Sequence, residues 1–197
     1  MNSINEIVFR IIFCALWLFH FGLRLYFQRK IKGVGNYVLT NEKQEKLFFR
    51  LFASAYIIMP IYFVTSWVDF AHIATPIWLR WTGMIITFIG ISLFSWTHQT
   101  LGLNWTAALA LSEKHKLVTS GPYRFVRHPM YTSFFIIGIG FLFLSANWLI
   151  GVSYLGTLLL MYTARVSAEE KMMMERFGDS YRQYMKTTGR LLPRLIK

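Results

Sequence analysis

Long apolar stretches constrain this chain more than anything else it contains. At about residues 4–27, 47–69, 76–98, 129–146 and 148–166 the sequence runs nearly free of charge for close to the 20 residues an α-helix needs to cross a bilayer. A span of that kind satisfies every backbone hydrogen bond within itself, so a chain built from such stretches folds as a bundle of helices. The expected fold is therefore all-α: an integral-membrane bundle of five transmembrane helices, followed by a polar, amphipathic helix that ends near Thr188. Composition agrees, with 55% hydrophobic and 18% aromatic residues and a mean hydropathy of +0.41. The 197 residues read as one domain, with N-terminal spans over about 4–98 and a second half over about 99–197.

The net charge of +12 acquires its meaning from this topology. Lys and Arg crowd the 28–50 and 99–128 loops and the C-terminal tail, whereas the turns at 69–76 and 145–148 have none. Basic loops face the cytosol, which places the N-terminus outside and the C-terminus inside. Arg80, near the outer end of the third span, is the dissenting charge and is expected to snorkel. The basic loops point to membrane lipids as neighbours and to no nucleic acid, since no nucleic-acid module is present. No cleavable leader is evident: Arg10 lies within the first span, basic residues follow it, and no small-residue cleavage site intervenes. The single cysteine, Cys14, makes no internal disulfide. Asn104-Trp105-Thr106 matches a glycosylation acceptor by coincidence, because a cytosolic loop never meets that machinery.

Ionisable residues concentrate at the cytosolic mouth of the last two spans. One block, KHKLVTSGPYRFVRHPMY (114–131), carries a Ser-Gly-Pro turn signal and opens a helix at Pro129, where a missing N–H costs nothing. His128 and Tyr131 are three apart and share a helix face. Arg124 and Arg127 suit lipid phosphates, and Tyr123 an interfacial aromatic belt. The second block, RVSAEE (165–170), places Arg165 and Glu169 on one face as either a helix-end ion pair or part of a site. The pairs Gly33-Val34-Gly35 and Gly138-Ile139-Gly140 follow no strand and give no nucleotide fold. His20, His72 and His98 stand apart without metal-ligand spacing, so no metal site is expected.

Together with LGLNW (101–105) and RVSAEEKMMMERFGDSYRQYMKTTGRLLP (165–193), the first block resembles the isoprenylcysteine carboxyl methyltransferase family, in a wider group that includes phospholipid methyltransferases. The likeness includes FG-x-x-Y-x-x-Y from Phe177 to Tyr184, and the length resembles compact prokaryotic members. It implies S-adenosyl-L-methionine as cofactor. His115, Leu117 and Val118 would hold the adenosine portion. Tyr123, His128, Pro129, Met130 and Tyr131 would line the cavity. Glu169 would bind the methionine portion with Glu170 in support, and Arg165 would face the substrate carboxylate. The implied partner is a lipidic or prenylated acceptor, with no obligate protein partner evident. Lipid-amine N-methylation is the alternative, followed by a non-catalytic membrane accessory protein and an NADPH-dependent sterol-type reductase, against which HPMY argues. Two departures stand out: Ser133 replaces a frequent glycine, and Thr106–Leu111 offers no cofactor-binding glutamine.

Overall fold

The computed structural model describes residues 3–31, 42–102 and 116–194. The helices are α1 (Ser3–Ile31), α2 (Glu42–Val64), α3 (Ile77–Leu101), α4 (Pro129–Ser145) and α5 (Trp148–Thr187), with 3-10 turns at Asp69–Ala71 and Gly121–Arg124. Among the described residues the regular elements are all helical. By length and apolarity α1, α3 and α5 each suffice to cross a membrane. The 17 residues of α4 rise about 25 Å and fall short of that measure. The sequence motif at 104–106 lies outside the described residues.

Local chemistry sets the helix boundaries. Pro129 occupies the first turn of α4, and the helix stops where Ala146 turns left-handed at φ 48°. Asn147 then caps α5, its Oδ1 accepting from the Ile150 N–H at 3.2 Å. The second apolar stretch stops being helical at Val64 rather than 69. There Thr65 folds its hydroxyl back onto the Ile61 carbonyl, and the Arg10 guanidinium donates to the carbonyls of Tyr62 (3.1 Å) and Thr65 (3.2 Å). Those are carbonyls a helix end leaves without an intrahelical donor. The polar extension expected after the fifth span is continuous with it: α5 runs for 40 residues, with Gly178 non-helical at φ 52°.

Close backbone approach joins α3 to α4. A side chain at Gly83 would sit 2.8 Å from the Gly140 carbonyl oxygen, and one at Gly90 would sit 2.9 Å from the Ile137 nitrogen. Small residues of this kind allow membrane helices to pack by dispersion. Aromatic rings fill the space these helices share with α1 and α2, including Phe13 against Tyr62 and Phe141 at centroid distances of 4.9 and 4.8 Å.

Arg80 departs from the sequence expectation: its side chain is 0% exposed and does not snorkel. The guanidinium meets Glu6 of α1 at 2.5 Å, donates to the Leu144 carbonyl at 3.0 Å and lies 4.2 Å from the Phe9 ring centroid. An i,j partner 74 positions away, invisible to a residue-by-residue reading, accounts for the difference. This network marks one end of the bundle, where the Ile73 N–H reaches the Ala146 carbonyl at 2.7 Å. Asn147 Nδ2 donates to the Val68 carbonyl there, also at 2.7 Å. At the opposite end Phe27 of α1 stacks on His98 of α3, and the Gly121 turn packs on Thr100.

Candidate active site at the head of α4

Beyond α5 the chain turns back and lies beside the residues that precede α4. Val126 and Gly189 form a parallel bridge. The Arg127 N–H donates to the Gly189 carbonyl at 2.8 Å, and the His128 N–H to the Arg190 carbonyl at 3.0 Å. Thr132 Oγ1 adds a bond to the Leu191 carbonyl at 2.9 Å. Gly189 is small of necessity, because a side chain there would run into the Leu192 carbonyl. The two motif tyrosines face inward: Tyr181 and Tyr184 are buried, and the Tyr184 hydroxyl donates to the Tyr123 carbonyl at 2.6 Å.

This return of the chain encloses Glu169 and Glu170, neighbours on α5 whose side chains leave the helix about 100° apart. Glu170 is 3% exposed. Its Oε1 accepts from Arg127 Nε at 2.9 Å, and its Oε2 from Arg190 Nε at 3.0 Å and Nη2 at 2.6 Å. Arg127 also donates to the Met185 carbonyl (3.3 Å) and the Thr188 carbonyl. Glu169 has different company. Tyr131 donates its hydroxyl to Oε1 at 2.7 Å, and Arg165 Nε stands 3.6 Å from the same oxygen. His128 bridges the pair, with Nδ1 at 3.4 Å from Glu169 and Nε2 at 3.4 Å from Glu170. Burial by itself would lower the His128 pKa, but the two carboxylates outweigh it and hold the imidazole above its ordinary value.

The structure thus brings His128, Tyr131, Arg165, Glu169 and Glu170 into one cluster, the first three within hydrogen-bonding or ion-pairing reach of Glu169 or Glu170. Pro129 is buried and starts the helix that presents His128 and Tyr131, while Met130 packs against the core. Tyr123 joins through its carbonyl. Leu117 and Val118 are half-buried on the segment entering the 3-10 turn, and His115 lies outside the described residues. One expectation changes. Arg127, read as a lipid-phosphate ligand, turns inward to Glu170, whereas Arg124 remains exposed with its guanidinium 5.3 Å from the Phe125 ring. Sequence reasoning assigned no role to Arg190, the second cation on Glu170. The signal available was the quoted tail TTGRLLP, but its pairing across 20 positions appears only once the tail folds back.

Residues 81–175 match the model of the isoprenylcysteine carboxyl methyltransferase family. The chain is similar to members of that family over its second half. It is 32% identical over 139 residues to protein-S-isoprenylcysteine O-methyltransferase of Homo sapiens, covering 66% of this chain and 49% of the human protein. The enzyme of the same name from Schizosaccharomyces pombe is 37% identical over 82 residues, covering 42% of this chain and 35% of its own length. The chain spans about half the length of the vertebrate relatives it matches. Its fold is similar to that of the eukaryotic intramembrane Ras methyltransferase of the family, with a TM-score of 0.66 and 23% identity, covering 98% of this chain and 69% of that one. The family match covers α3 from Trp81, all of α4 and α5 as far as Glu175, and so contains every residue of the cluster except Arg190.

Proposed function

We propose that this chain is a membrane methyltransferase that uses S-adenosyl-L-methionine to O-methylate the carboxylate of an isoprenylcysteine-like lipidic acceptor. The observation that carries the reading is the contrast between the adjacent glutamates. Glu170 has both oxygens engaged by Arg127, Arg190 and His128, whereas Glu169 stands beside Tyr131, His128 and Arg165 in a largely enclosed setting. A carboxylate there suits the ammonium of an amino-acid ligand, and a guanidinium beside it suits a second carboxylate. These donors and acceptors fit the methionine portion of the cofactor, which when bound supplies a methyl group activated on a sulfonium.

The roles of the chain's own residues follow from charge and burial. Glu169 binds the ammonium, and the Tyr131 hydroxyl holds Glu169 in one orientation. Arg165 aligns the acceptor carboxylate. A carboxylate is already ionised at neutral pH, so no general base is required of the cluster, and its main tasks are alignment and exclusion of water. The proposal extends to topology: all five helices span the bilayer, the N-terminus lies outside, and the site faces the cytosol. Exposed aromatic rings at the end opposite the site support this, with Trp67 77% and Trp78 66% exposed and Phe70 6.3 Å from Trp148. Aromatic belts of that kind sit at head-group level.

The test uses purified protein in nanodiscs. Calorimetry with S-adenosylhomocysteine should show binding by wild type and by Arg165→Ala, and none by Glu169→Ala. Methyl transfer to an S-farnesylcysteine analogue should be lost in both variants. Wild-type activity in either variant would refute the assignment, and methyl transfer to phosphatidylethanolamine instead would move it to a lipid amine.

A further inference from the structure

Among the described contacts the tail residue Arg190 bonds to neither Arg165 nor Glu169, yet its Nη2 makes the shortest hydrogen bond to either glutamate, 2.6 Å to Glu170 Oε2. We propose that Arg190 is a positioning residue for the methyl-donor site: by occupying Glu170 Oε2 it dedicates Glu170 to holding the tail and His128, and leaves Glu169 alone to meet the cationic ligand group. This rests on the reading of Glu169 given above.

Three independent features support the inference. First, the bonds from Arg190 Nε and Nη2 fall on one oxygen, and Arg127 and His128 take the other, so both acceptor oxygens of Glu170 are committed. Second, the tail that carries Arg190 is laid in a fixed register by the bonds from the Arg127 and His128 amides and from Thr132 Oγ1. Arg190 is thus presented from a backbone already hydrogen-bonded to the head of α4. Third, the imidazole of His128 lies between the two glutamates at 3.4 Å from each, so the charge state of Glu170 reaches Glu169 through one ring.

The consequence is a defined failure when Arg190 is removed. Glu170 Oε2 loses its cation and its carboxylate charge is balanced by Arg127 alone. Glu170 then competes with Glu169 both for His128 and for an incoming ammonium. A ligand drawn to the neighbouring residue leaves the helix in a different direction, which misplaces the groups to be aligned. The groups facing His128 are Glu169, Glu170 and, behind Glu169, Arg165 on α5; Tyr131 on α4; Arg127 before it; and Arg190 on the tail. Tyr162 and Tyr181 of α5 complete the surroundings of the glutamates. Arg190 is the one member of this set that lies beyond α5.

The experiment measures S-adenosylhomocysteine affinity from pH 5.5 to 9 by calorimetry, on the full chain in nanodiscs. Arg194→Ala serves as the tail control, since Arg194 contacts only the Lys186 carbonyl among the described partners (2.5 Å). Arg190→Ala should weaken binding about tenfold and move the midpoint of the pH profile upward, because His128 then faces a carboxylate with one cation fewer. Arg190→Lys, which restores charge but not the forked pair of donors, should recover part of the affinity and return the midpoint toward wild type. If Arg190→Ala cannot be purified folded, Arg190→Gln carries the same expectation. An Arg190 variant with wild-type affinity and an unmoved midpoint overturns the inference, as does an Arg194→Ala variant that reproduces the full effect. Failure of wild type itself to bind overturns the proposed function instead.

Discussion

Replacing Gly140 with alanine tests the packing on which the site stands. The added methyl would lie 2.6 Å from the Thr87 nitrogen and 2.9 Å from the Gly83 carbonyl oxygen, where ordinary contact begins at 3.4 Å, and would also strike Thr87 Oγ1. Two of these three atoms are backbone of α3, so no rotamer change relieves the overlap. The helices must separate by close to 1 Å, against a close-packed interior that resists such movement. Overpacking of this kind costs about 1–3 kcal/mol, and the backbone on both sides places Gly140→Ala near 3. Gly156 on α5 is the matched comparison, because a methyl there meets nothing within 4 Å. Gly156→Ala should stabilise by about 0.5–1 kcal/mol by restricting the unfolded chain. The same chemical change at two helical glycines thus separates by about 3–4 kcal/mol with opposite signs. Reversible unfolding in mixed micelles, followed by circular dichroism, reads the difference directly. Equal stability of the two variants would show that α3 and α4 do not approach as described.

Other consequences can be measured in the same preparation. Glu6→Gln removes the carboxylate from the fully buried Arg80 side chain and should cost about 3 kcal/mol, the lower part of the range for breaking a buried ion pair, because Glu6 retains some exposure; a loss below 0.5 would contradict a buried pair. Asn147→Ala deletes both the cap on Ile150 and the bond to the Val68 carbonyl, and should lower stability by about 2 kcal/mol, seen as faster proteolysis near the 145–148 turn. His128 has a folded pKa above its unfolded value of about 6.5. Its protonation therefore stabilises the fold fully below the unfolded pKa, and that stabilisation is lost as pH rises through the folded one. The thermal midpoint of wild type relative to His128→Asn should accordingly fall as pH goes from 6 to 9, and a rise would reverse the assigned sign.

Much of the architecture was legible before any coordinates. Apolar runs of bilayer length specify helices because unpaired backbone groups are intolerable in hydrocarbon, and Pro129 marks a helix start by local chemistry that needs no tertiary partner. The shared faces of His128 with Tyr131 and of Arg165 with Glu169 follow from helical spacing in the same way. The charged pairings did not follow. Arg80 reads as an interfacial cation until Glu6, 74 positions away, is seen beside it, and Arg127 reads as a lipid ligand until Glu170 is found 43 positions on.

What this sequence determined by itself is a set of long apolar helices, their chemical punctuation, and a motif pattern similar to that of one methyltransferase family. Tertiary structure alone decided that the tail returns to the head of α4, that Arg190 and Arg127 converge on Glu170, and that Glu169 is left facing Arg165 and Tyr131. The physical reason is range: helix formation and capping are settled within a few residues, whereas an ion pair forms with whichever opposite charge the folded chain brings within 4 Å.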